Sequence, residues 1–416
     1  MTSRSGPLRN ITVIDLTTFL SGPYATQILG DLGAEVIKVE APGKGDATRI
    51  LPPHMVHGDS AYFHSTNRNK KSLCLNLKDP RGRQILLDLI AKADVLVENF
   101  RPGVMDRLNL SPQALLEQNP RLVVCQLTGF GQDGPYRLQP AYDMIVQALS
   151  GGMSLTGAKE GRPVRAGVPL GDLSAGMYAV IGTLAALEER HVTGQGQVID
   201  VSMLDAQISM LSYQAQYYLV SGNVPGRQGA QHESIPTYRS FMCGDGLEVV
   251  ITANTEPMWV SLCKVLGLPE LIEDPRFVDN RMRLNNRAAL WDILDPAFAA
   301  RPSTEWLPLL VEEGIPSARV NTIDQALDDP QVKSRHMRAE ARAADGRSLP
   351  ITGDPVKFPA HGERDFVIAP RLGEHTADLL DDRLGLSAEE IDGLVRDGVV
   401  SLDAGLPDAS STGSVK

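Results

Sequence analysis

Apolar and polar residues follow two different periods along the first half of the chain. Apolar-rich runs that are typical of buried strands occur at residues 11–16, 35–40, 94–100 and 122–127. Between these runs, residues 22–29 and 79–93 place apolar side chains on one helical face. Strands that are separated by helices pair in parallel through right-handed crossovers. The pattern therefore predicts an α/β fold with an open, doubly wound sheet.

The pattern changes near residue 221. Residues 221–229 are rich in glycine and other turn-forming residues, which indicates a connector. Beyond it, residues 238–243 and 247–252 predict an antiparallel hairpin, and helical patterns follow over about 256–313. This second region is predicted to be a smaller α+β domain.

The last part of the chain is loop-rich before it becomes helical again. Residues 371–376 open one helix, and Ser387 with Glu390 forms a capping box for the last one. We expect the large domain to be built from both ends of the chain. The predicted boundaries are 1–203 for its first part, 204–230 for a linker, 231–325 for the small domain, 326–365 for a second linker, 366–402 for the return to the large domain and 403–416 for a disordered tail.

Composition narrows the class of protein. The chain has 416 residues, too many for one ordinary domain, and 42% of them are hydrophobic. The first ten residues are polar and no segment is expected to reach a membrane span, so we predict a cytoplasmic protein without a membrane partner. The net charge of −11 argues against nucleic acid as a partner. The four cysteines lack metal-ligand spacing, so we expect reduced, mostly buried thiols and no metal site.

Asp172 is the strongest candidate for chemistry. An apolar approach marked by Pro169 and Gly171 ends in this carboxylate, and a long apolar helix follows. One interpretation is that Asp172 merely caps a helix beginning at Leu173. The other is that the carboxylate acts as a nucleophile, acid or base.

Other standard motifs are missing or ambiguous. The sequence has no Walker phosphate loop, no Gly-x-Gly-x-x-Gly after the first strand and no Gly-x-Ser-x-Gly elbow, so nucleotide-cofactor and α/β-hydrolase chemistry are unsupported. Basic clusters at 67–78 and 98–107 fall at ends of predicted elements, where they could hold phosphates or form a solvated edge. His232 follows the connector and could line a site or lie on the surface.

Taken together, several segments make the sequence resemble the class III CoA-transferase family. That family includes formyl-CoA, carnitine and succinyl-CoA:dicarboxylate transferases and the related methylacyl-CoA racemases. The resemblance runs from about residue 11 to residue 400. The segments that carry it are residues 15–23, 30–40, 67–72, 97–103, 128–131 and 372–376.

The resemblance implies a mechanism and an assembly. Asp172 falls on the family's nucleophile, which forms an acyl–aspartyl anhydride and then an aspartyl-CoA thioester. No tightly bound cofactor is implied, because CoA is itself a substrate. Family members form homodimers of two interlocked rings, and the predicted linkers suit that arrangement.

The resemblance also implies which residues contact substrates. Arg107 and Lys78 are the natural partners of CoA phosphates, while Arg49 and His232 are candidates for the second substrate. The positions that fall on family CoA contacts are Phe19, Leu20, Leu75, Asn76, Lys78, Asn99, Phe100, Arg101, Arg107, Tyr142 and Asp143. Ala41 and Pro140 stand where formyl-CoA transferases have basic CoA contacts, so some phosphate contacts must come from elsewhere.

Departures from the family pattern bear on the substrate. Leu20 and Leu51 replace a glutamine and a tryptophan of formyl-CoA transferases, which disfavours oxalate as the acceptor. The segment 232–241 is more similar to the succinyl-CoA-using branch, so succinyl-CoA and a small dicarboxylic acid are the expected pair. The alternative is a 2-methylacyl-CoA racemase, but Tyr142 stands where racemase-like members carry a proton-transferring histidine. A non-catalytic CoA-binding protein is a third possibility, which the intact Asp172 argues against.

Overall fold

The computed structural model describes residues 5–403, so the predicted tail beyond residue 403 lies outside the described residues. The strands are β1 (Thr12–Asp15), β2 (Glu35–Glu40), β3 (Met55–Val56), β4 (Asp59–Ser60), β5 (Lys70–Leu75), β6 (Val95–Glu98), β7 (Val123–Thr128), β8 (Val198–Ser202), β9 (Tyr238–Met242), β10 (Glu248–Thr252), β11 (Ser317–Arg319), β12 (Arg338–Arg342), β13 (Ser348–Thr352), β14 (Phe366–Val367) and β15 (Val400–Ser401).

Helices connect most of these strands. They are α1 (Ser21–Asp31), α2 (Ala61–Asn67), α3 (Pro80–Ile90), α4 (Val104–Arg107), α5 (Pro112–Gln118), α6 (Asp143–Leu149), α7 (Gly152–Leu155), α8 (Leu170–Thr193), α9 (Met203–Ser209), α10 (Tyr213–Ser221), α11 (Glu256–Leu266), α12 (Asn280–Asn285), α13 (Arg287–Ala299), α14 (Ser303–Glu312), α15 (Ile323–Asp328), α16 (Pro330–Ser334), α17 (Thr376–Leu384) and α18 (Ala388–Arg396). Ser111 caps α5 with Pro112 at its first position. Ser387 with Glu390 forms the capping box of α18, as predicted.

The chain divides into two compact units. Of the described residues, unit 1 contains 5–152, 165–221 and 335–403, and unit 2 contains 153–164 and 222–334. The units differ from the predicted boundaries in three places. Residues 153–164, predicted within the large domain, belong to unit 2. Part of the predicted first linker folds as α9 and α10 within unit 1, and the predicted second linker contains β12 and β13.

Unit 1 is built on a seven-stranded sheet with the order β15-β5-β2-β1-β6-β7-β8. All neighbouring strands pair in parallel except β15, which runs antiparallel to β5. Ile14 lies opposite Ile37 on one side and Leu96 on the other. The predicted parallel α/β sheet is therefore present.

Helices pack on both faces of this sheet, because successive strand residues point to opposite sides. Ile14 and Ile37 belong to the core that includes α3, α5, α17 and α18. Their neighbours Val13 and Val36 belong to the core that includes α1, α6, α8 and α9. This double burial explains why the strand sequences show little alternation between apolar and polar residues.

Helix α8 is long and apolar enough, by length and composition alone, to cross a membrane. The prediction that no segment reaches that length and apolarity is therefore wrong for this helix. Half of its most apolar window is buried inside the protein, and α8 packs against α1, β7, β8 and α9. Packing in the core of unit 1 accounts for that half of its apolar surface.

Unit 2 contains a three-stranded sheet, β11-β10-β9, covered by helices. Strands β9 and β10 pair antiparallel, as the hairpin pattern predicted. Its core includes Trp259 and Phe298. The four cysteines of the chain, Cys74, Cys125, Cys243 and Cys263, are free and buried, also as predicted.

Candidate active site

The carboxyl ends of the parallel strands in unit 1 bring most of the predicted site residues to one edge of the sheet. The segment with Phe19 and Leu20 follows β1, and the turn of Asn76 and Lys78 follows β5. Arg101 follows β6 in the same way. Because parallel strands point their carboxyl ends the same way, these segments share the edge where open α/β sheets bind ligands.

Close packing of α1 against α8 sets the position of Asp172. A Cβ added to Gly176 would lie only 2.8 Å from the backbone oxygen of Ser21, so glycine is needed for the two helices to approach. Asp172 lies one helical turn before Gly176 on the same face. The carboxylate thereby meets the Ser21 hydroxyl, with which it is hydrogen bonded.

Asp172 does not cap its own helix, so that interpretation is wrong. Helix α8 begins at Leu170, which places Asp172 inside the first turn. The cap is supplied by Asp143, whose Oδ1 accepts hydrogen bonds from the backbone N–H of Gly171 at 2.8 Å and of Asp172 at 3.4 Å. A Cβ on Gly171 would lie 3.1 Å from that oxygen, so Gly171 makes room for the Asp143 carboxylate.

Burial and the nearby Asp143 carboxylate raise the pKa of Asp172 to about 7, against a smaller opposing effect of the Ser21 hydrogen bond. The carboxylate is therefore about half ionised at neutral pH, and no cation among the described residues contributes to its pKa. Burial, together with Asp172, Asp46 and Asp143, also raises the pKa of Tyr62 to about 12. Tyr62 is consequently a neutral phenol near Asp172.

Two exposed aromatic residues, Phe19 and Tyr142, lie on the segments that carry Ser21 and Asp143. Phe19 and Tyr142 contact each other edge to face, with 6.0 Å between ring centroids. Phe19 has a φ of 66°, a left-handed conformation that is uncommon for a bulky residue. Tyr142 immediately precedes Asp143, and Leu20 precedes Ser21, so the pair offers an apolar surface next to the candidate nucleophile.

Three exposed basic residues, Lys78, Arg101 and Arg107, lie on segments that follow the strands at this edge. Gly103 adopts a φ of 84° at the start of α4, and a Cβ added there would be 3.5 Å from Arg107 Nη1. The Arg107 guanidinium therefore lies over the turn that follows β6. Asn76 shapes the other turn, since its Oδ1 accepts a hydrogen bond from Lys78 N at 3.1 Å.

Several residues of the basic cluster 67–78 have structural partners instead of open surroundings. Lys70 is buried, with its Nζ 3.0 Å from Asp15 Oδ2. The Arg68 guanidinium is paired with Asp31 at the last residue of α1. The sequence shows the charge of these residues but not their burial. It therefore does not reveal that β5 is an interior strand of the sheet and that these cations already have partners.

Some predicted contact residues have side chains that serve the fold. Leu75 is buried in the core and Phe100 packs against it. The Asn99 amide exchanges two hydrogen bonds with the backbone of Thr18, at 2.9 and 2.8 Å. Any contact of Leu75 with a ligand would involve its backbone.

Arg49, predicted as a clamp for a substrate carboxylate, is buried and engaged within the protein. Its Nε and Nη2 donate to both oxygens of Glu40, at 2.8 and 2.7 Å, and its Nη1 donates to Asp59 at 2.8 Å and to the backbone oxygen of Pro370 at 3.1 Å. The guanidinium also stacks on Phe63, 3.8 Å from the ring centroid. These contacts support a structural role for Arg49, so we do not propose it as a clamp for a substrate carboxylate.

His232 belongs to unit 2. Its ring stacks on Tyr238 with centroids 5.2 Å apart, and its Nδ1 accepts a hydrogen bond from Ser234 N at 3.1 Å. These contacts fix the ring at the start of the β9 region.

Three residues of unit 1 with contacts or pKa shifts of interest, Ser21, Tyr62 and Glu98, were not predicted from the sequence. Ser21 lies within the segment 15–23 that carries the family resemblance, so it could have been examined. Tyr62 lies in no motif, and only the fold brings it near Asp172. Glu98 was part of a basic cluster, yet its buried carboxylate accepts hydrogen bonds from Gln126 and from Phe100 N, and burial raises its pKa to about 7.

Comparison with known proteins identifies the family. The family model described as CoA-transferase family III matches residues 8–376. The chain belongs to CoA-transferase family III. An acetyl-CoA:oxalate CoA-transferase from Acetobacter aceti is 41% identical over 376 residues, which cover 90% of this chain and 95% of that protein. A succinyl-CoA:glutarate CoA-transferase from Mus musculus is 38% identical over 394 residues, which cover 95% of this chain and 90% of that protein.

Solved structures of the family share the fold. A crystal structure of a CAIB/BAIF family protein from Brucella suis matches with a TM-score of 0.81 and 36% identity, covering 91% of this chain and all of that one. This confirms the mixed α/β fold with a large, mostly parallel sheet. As a member of CoA-transferase family III, the protein is an enzyme whose substrates are CoA thioesters.

Proposed function

We propose that this enzyme moves CoA from a thioester donor, with succinyl-CoA as the best candidate, to a small carboxylic or dicarboxylic acid, and that Asp172 is the nucleophile. The observation that carries the proposal is the state of the Asp172 carboxylate. It is largely buried, has its pKa raised to about 7, and accepts one hydrogen bond from Ser21. A carboxylate that is weakly stabilised by its surroundings is a better nucleophile than one held in an ion pair.

The reaction keeps an activated acyl group at each step, either as a thioester or as an anhydride. The Asp172 carboxylate attacks the donor carbonyl carbon, the C–S bond breaks, and CoA leaves as a thiolate from the resulting mixed anhydride. The thiolate attacks the aspartyl carbonyl carbon, which releases the donor acid as a carboxylate and leaves an aspartyl-CoA thioester. The acceptor carboxylate then displaces the thiolate to form a second anhydride. Attack of the thiolate on the acceptor carbonyl gives the new acyl-CoA and regenerates the Asp172 carboxylate.

The edge of the sheet offers contacts for CoA. Lys78, Arg101 and Arg107 are exposed cations on the segments after β5 and β6, which suits the phosphates of CoA. Phe19 and Tyr142 provide an apolar surface for the uncharged part of the molecule. We propose these five residues as the principal CoA contacts.

The choice of acids is the finer part of the proposal. The two relatives act on glutarate with succinyl-CoA and on oxalate with acetyl-CoA, according to their names. Leu20 and Leu51, which replace the polar and aromatic residues of formyl-CoA transferases, favour a dicarboxylic acceptor larger than oxalate over oxalate itself. Succinyl-CoA is the donor in the relative that spans the larger share of this chain.

A homodimer is part of the proposal. Helix α10 has no buried residue, and helices α8, α9 and α10 of unit 1 all carry exposed apolar side chains. These include Ile181, Ile208, Tyr217 and Leu219, with Leu219 73% exposed. A monomer rarely exposes large apolar patches, so we propose a second copy of the chain as the cover for these helices. Light scattering of the parent protein should give twice the mass of one chain. A Leu219→Glu variant should lower the measured mass towards that of one chain. A parent protein with the mass of one chain would refute the dimer.

The proposed nucleophile can be tested by trapping. Incubation with succinyl-CoA followed by hydroxylamine should leave a hydroxamate on the peptide that contains Asp172, because hydroxylamine cleaves anhydrides and thioesters. Asp172→Ala should lose both the label and transfer activity. Asp378→Asn, a change to another acid in the first turn of a helix, is the matched control and should keep both. Full transfer activity in folded Asp172→Ala would disprove the mechanism.

A mass-spectrometric screen separates the proposed transfer from its alternatives. Succinyl-CoA is offered with a panel of dicarboxylic acids, and 2-methylacyl-CoA is incubated in deuterated water. Formation of a new acyl-CoA without rapid α-deuteration is expected. Rapid α-deuteration without CoA exchange would instead establish a racemase. Absence of both reactions would favour a non-catalytic CoA-binding protein.

A further inference from the structure

Three successive residues before α1, Thr17, Thr18 and Phe19, are held by side chains from other segments of unit 1; we call them the 17–19 segment. The backbone N–H of Thr18 donates to Asn99 Oδ1 at 2.9 Å, and Asn99 Nδ2 donates to the backbone oxygen of Thr18 at 2.8 Å. Asn99 therefore satisfies both backbone groups of Thr18, as a neighbouring strand would.

A buried ion pair holds the two residues on either side. Lys38 Nζ donates to the Thr17 backbone oxygen at 2.8 Å and to Asp46 Oδ2 at 3.0 Å. The other oxygen of Asp46 lies 3.4 Å from the backbone nitrogen of Phe19. The side chains of Lys38 and Asp46 have no exposed surface, so the pair works entirely inside the protein.

This pair is permanently charged. Burial opposes ionisation of Lys38, but the carboxylates of Asp15, Asp46 and Glu40 raise its pKa above the usual value. Burial likewise opposes ionisation of Asp46, but Lys38 and the hydrogen bonds from Thr48 keep its pKa low. The contact is thus a fixed connection at every working pH and not a switch.

A buried ion pair is weak evidence for added stability, because desolvation offsets the attraction between the charges. Its contacts suggest another use. Phe19 is held at a φ of 66°, a conformation that bulky residues adopt only where the surroundings impose it, and such conformations cluster at functional sites. Phe19 contacts Tyr142, and Ser21 two residues later is hydrogen bonded to Asp172.

We propose that Lys38, Asp46 and Asn99 are positioning residues of the transfer reaction, which hold the 17–19 segment so that Ser21 meets Asp172 and Phe19 meets Tyr142. None of the three needs to touch a substrate. For Asn99 this replaces the expected contact with CoA, since its amide is occupied by Thr18. The inference rests on the proposed role of Asp172.

The first test compares two buried ion pairs at opposite ends of α1. Asp46→Ala should lower kcat by about 10- to 100-fold, since small displacements of reacting groups have effects of that size. Arg68→Met breaks the pair with Asp31 at the far end of α1 and should leave kcat within about twofold. Asp46→Asn keeps an oxygen for Phe19 and Thr48 and should recover part of the loss. Equal losses of kcat in Asp46→Ala and Arg68→Met would overturn the inference.

Hydrogen exchange provides a readout that does not depend on Asp172 chemistry. Amides of residues 17–20 should exchange faster in Asp46→Ala and in the milder variant Asn99→Ala, but not in Arg68→Met. Unchanged exchange in Asn99→Ala would contradict the proposed restraint even if Asp46→Ala fails to fold. The exchange result does not depend on whether Asp172 is the nucleophile. The positioning proposal and the proposed function can therefore fail separately.

A double-mutant cycle tests the route of action. If Asn99 acts through Ser21, then Ser21→Ala should have a several-fold smaller effect on kcat in the Asn99→Ala background than in the parent. Additive effects would show that the 17–19 segment does not act through Ser21.

Discussion

Two groups of buried carboxylates in unit 1 have pKa values that are shifted in opposite directions. Asp15, Asp46 and Glu40 are each within 3.0 Å of a cation, namely Lys70, Lys38 and Arg49 respectively. Asp172 and Glu98 are also largely buried, but cations do not contribute to their pKa values among the described residues. Burial opposes ionisation in both groups, yet the two lysines lower the pKa of Asp15 to about 2, while those of Asp172 and Glu98 rise to about 7.

The difference separates carboxylates that hold the fold from those that are available for chemistry. In the first group, each carboxylate stays charged and is engaged by its cation. A carboxylate without a cation is poised to gain or lose a proton near neutral pH, which is the condition that active sites create.

The largest effect is expected for loss of a paired carboxylate. Asp15→Asn leaves Lys70 buried without its countercharge and should lower the free energy of unfolding by about 3–5 kcal/mol. Urea denaturation at pH 7 measures it. Asp79→Asn breaks an exposed pair with Arg81 and keeps the helix cap, so its denaturation midpoint should not move. A stable Asp15→Asn protein would show that the pairing is not what separates the two groups.

Exposed cations should behave differently from paired ones. Arg107→Ala should weaken binding of every acyl-CoA donor by about 1.5–3 kcal/mol, the value of a charged hydrogen bond, without affecting the acceptor acid. The apparent KM for several donors measures this. Arg121, which is exposed and precedes β7 at the opposite edge of the sheet, gives the control variant Arg121→Ala. An effect confined to the acceptor would disprove the assignment.

The pH dependence should report Asp172. Because the nucleophile must be ionised, kcat/KM should fall about tenfold for each pH unit below about 7. Glu98 has a similarly raised pKa, so a Glu98→Gln variant is needed to separate the two groups. We expect the profile to survive in Glu98→Gln. Loss of the profile in that variant would assign the titration to Glu98.

The smallest effect concerns the stability contributed by Asp172. Its pKa is raised on folding, so its contribution is fully present below about pH 4 and is lost as the pH rises through about 7. Asp172→Asn removes the titration, and its advantage over the parent in free energy of unfolding should grow by about 1–2 kcal/mol from pH 6 to pH 8. The exposed Glu117→Gln serves as a control without such growth. A constant difference across this range would mean that the Asp172 carboxylate is better stabilised than its surroundings indicate.

The sequence predicted the large sheet and the central candidate, but not the partners of the charged residues. The runs at β1, β2, β6 and β7 and the cap at Ser387 were recognisable because they depend on neighbouring residues. Lys70 and Arg49 were misjudged because a cation in a phosphate site and a cation in a buried ion pair have the same local sequence signal. Their partners, Asp15 and Glu40, lie in other parts of the chain.

By itself, the sequence determined the order of strands and helices, the family and the position of Asp172, because periodicity, caps and motifs are local properties of the chain. Only the tertiary structure decided the state of that residue. Packing of α1 against α8 at Gly176 brings Ser21 to Asp172, and Asp143 takes the cap position that the sequence had offered to Asp172. Burial and the proximity of charges depend on distances through space, and these distances between separate segments are fixed only when the chain is folded.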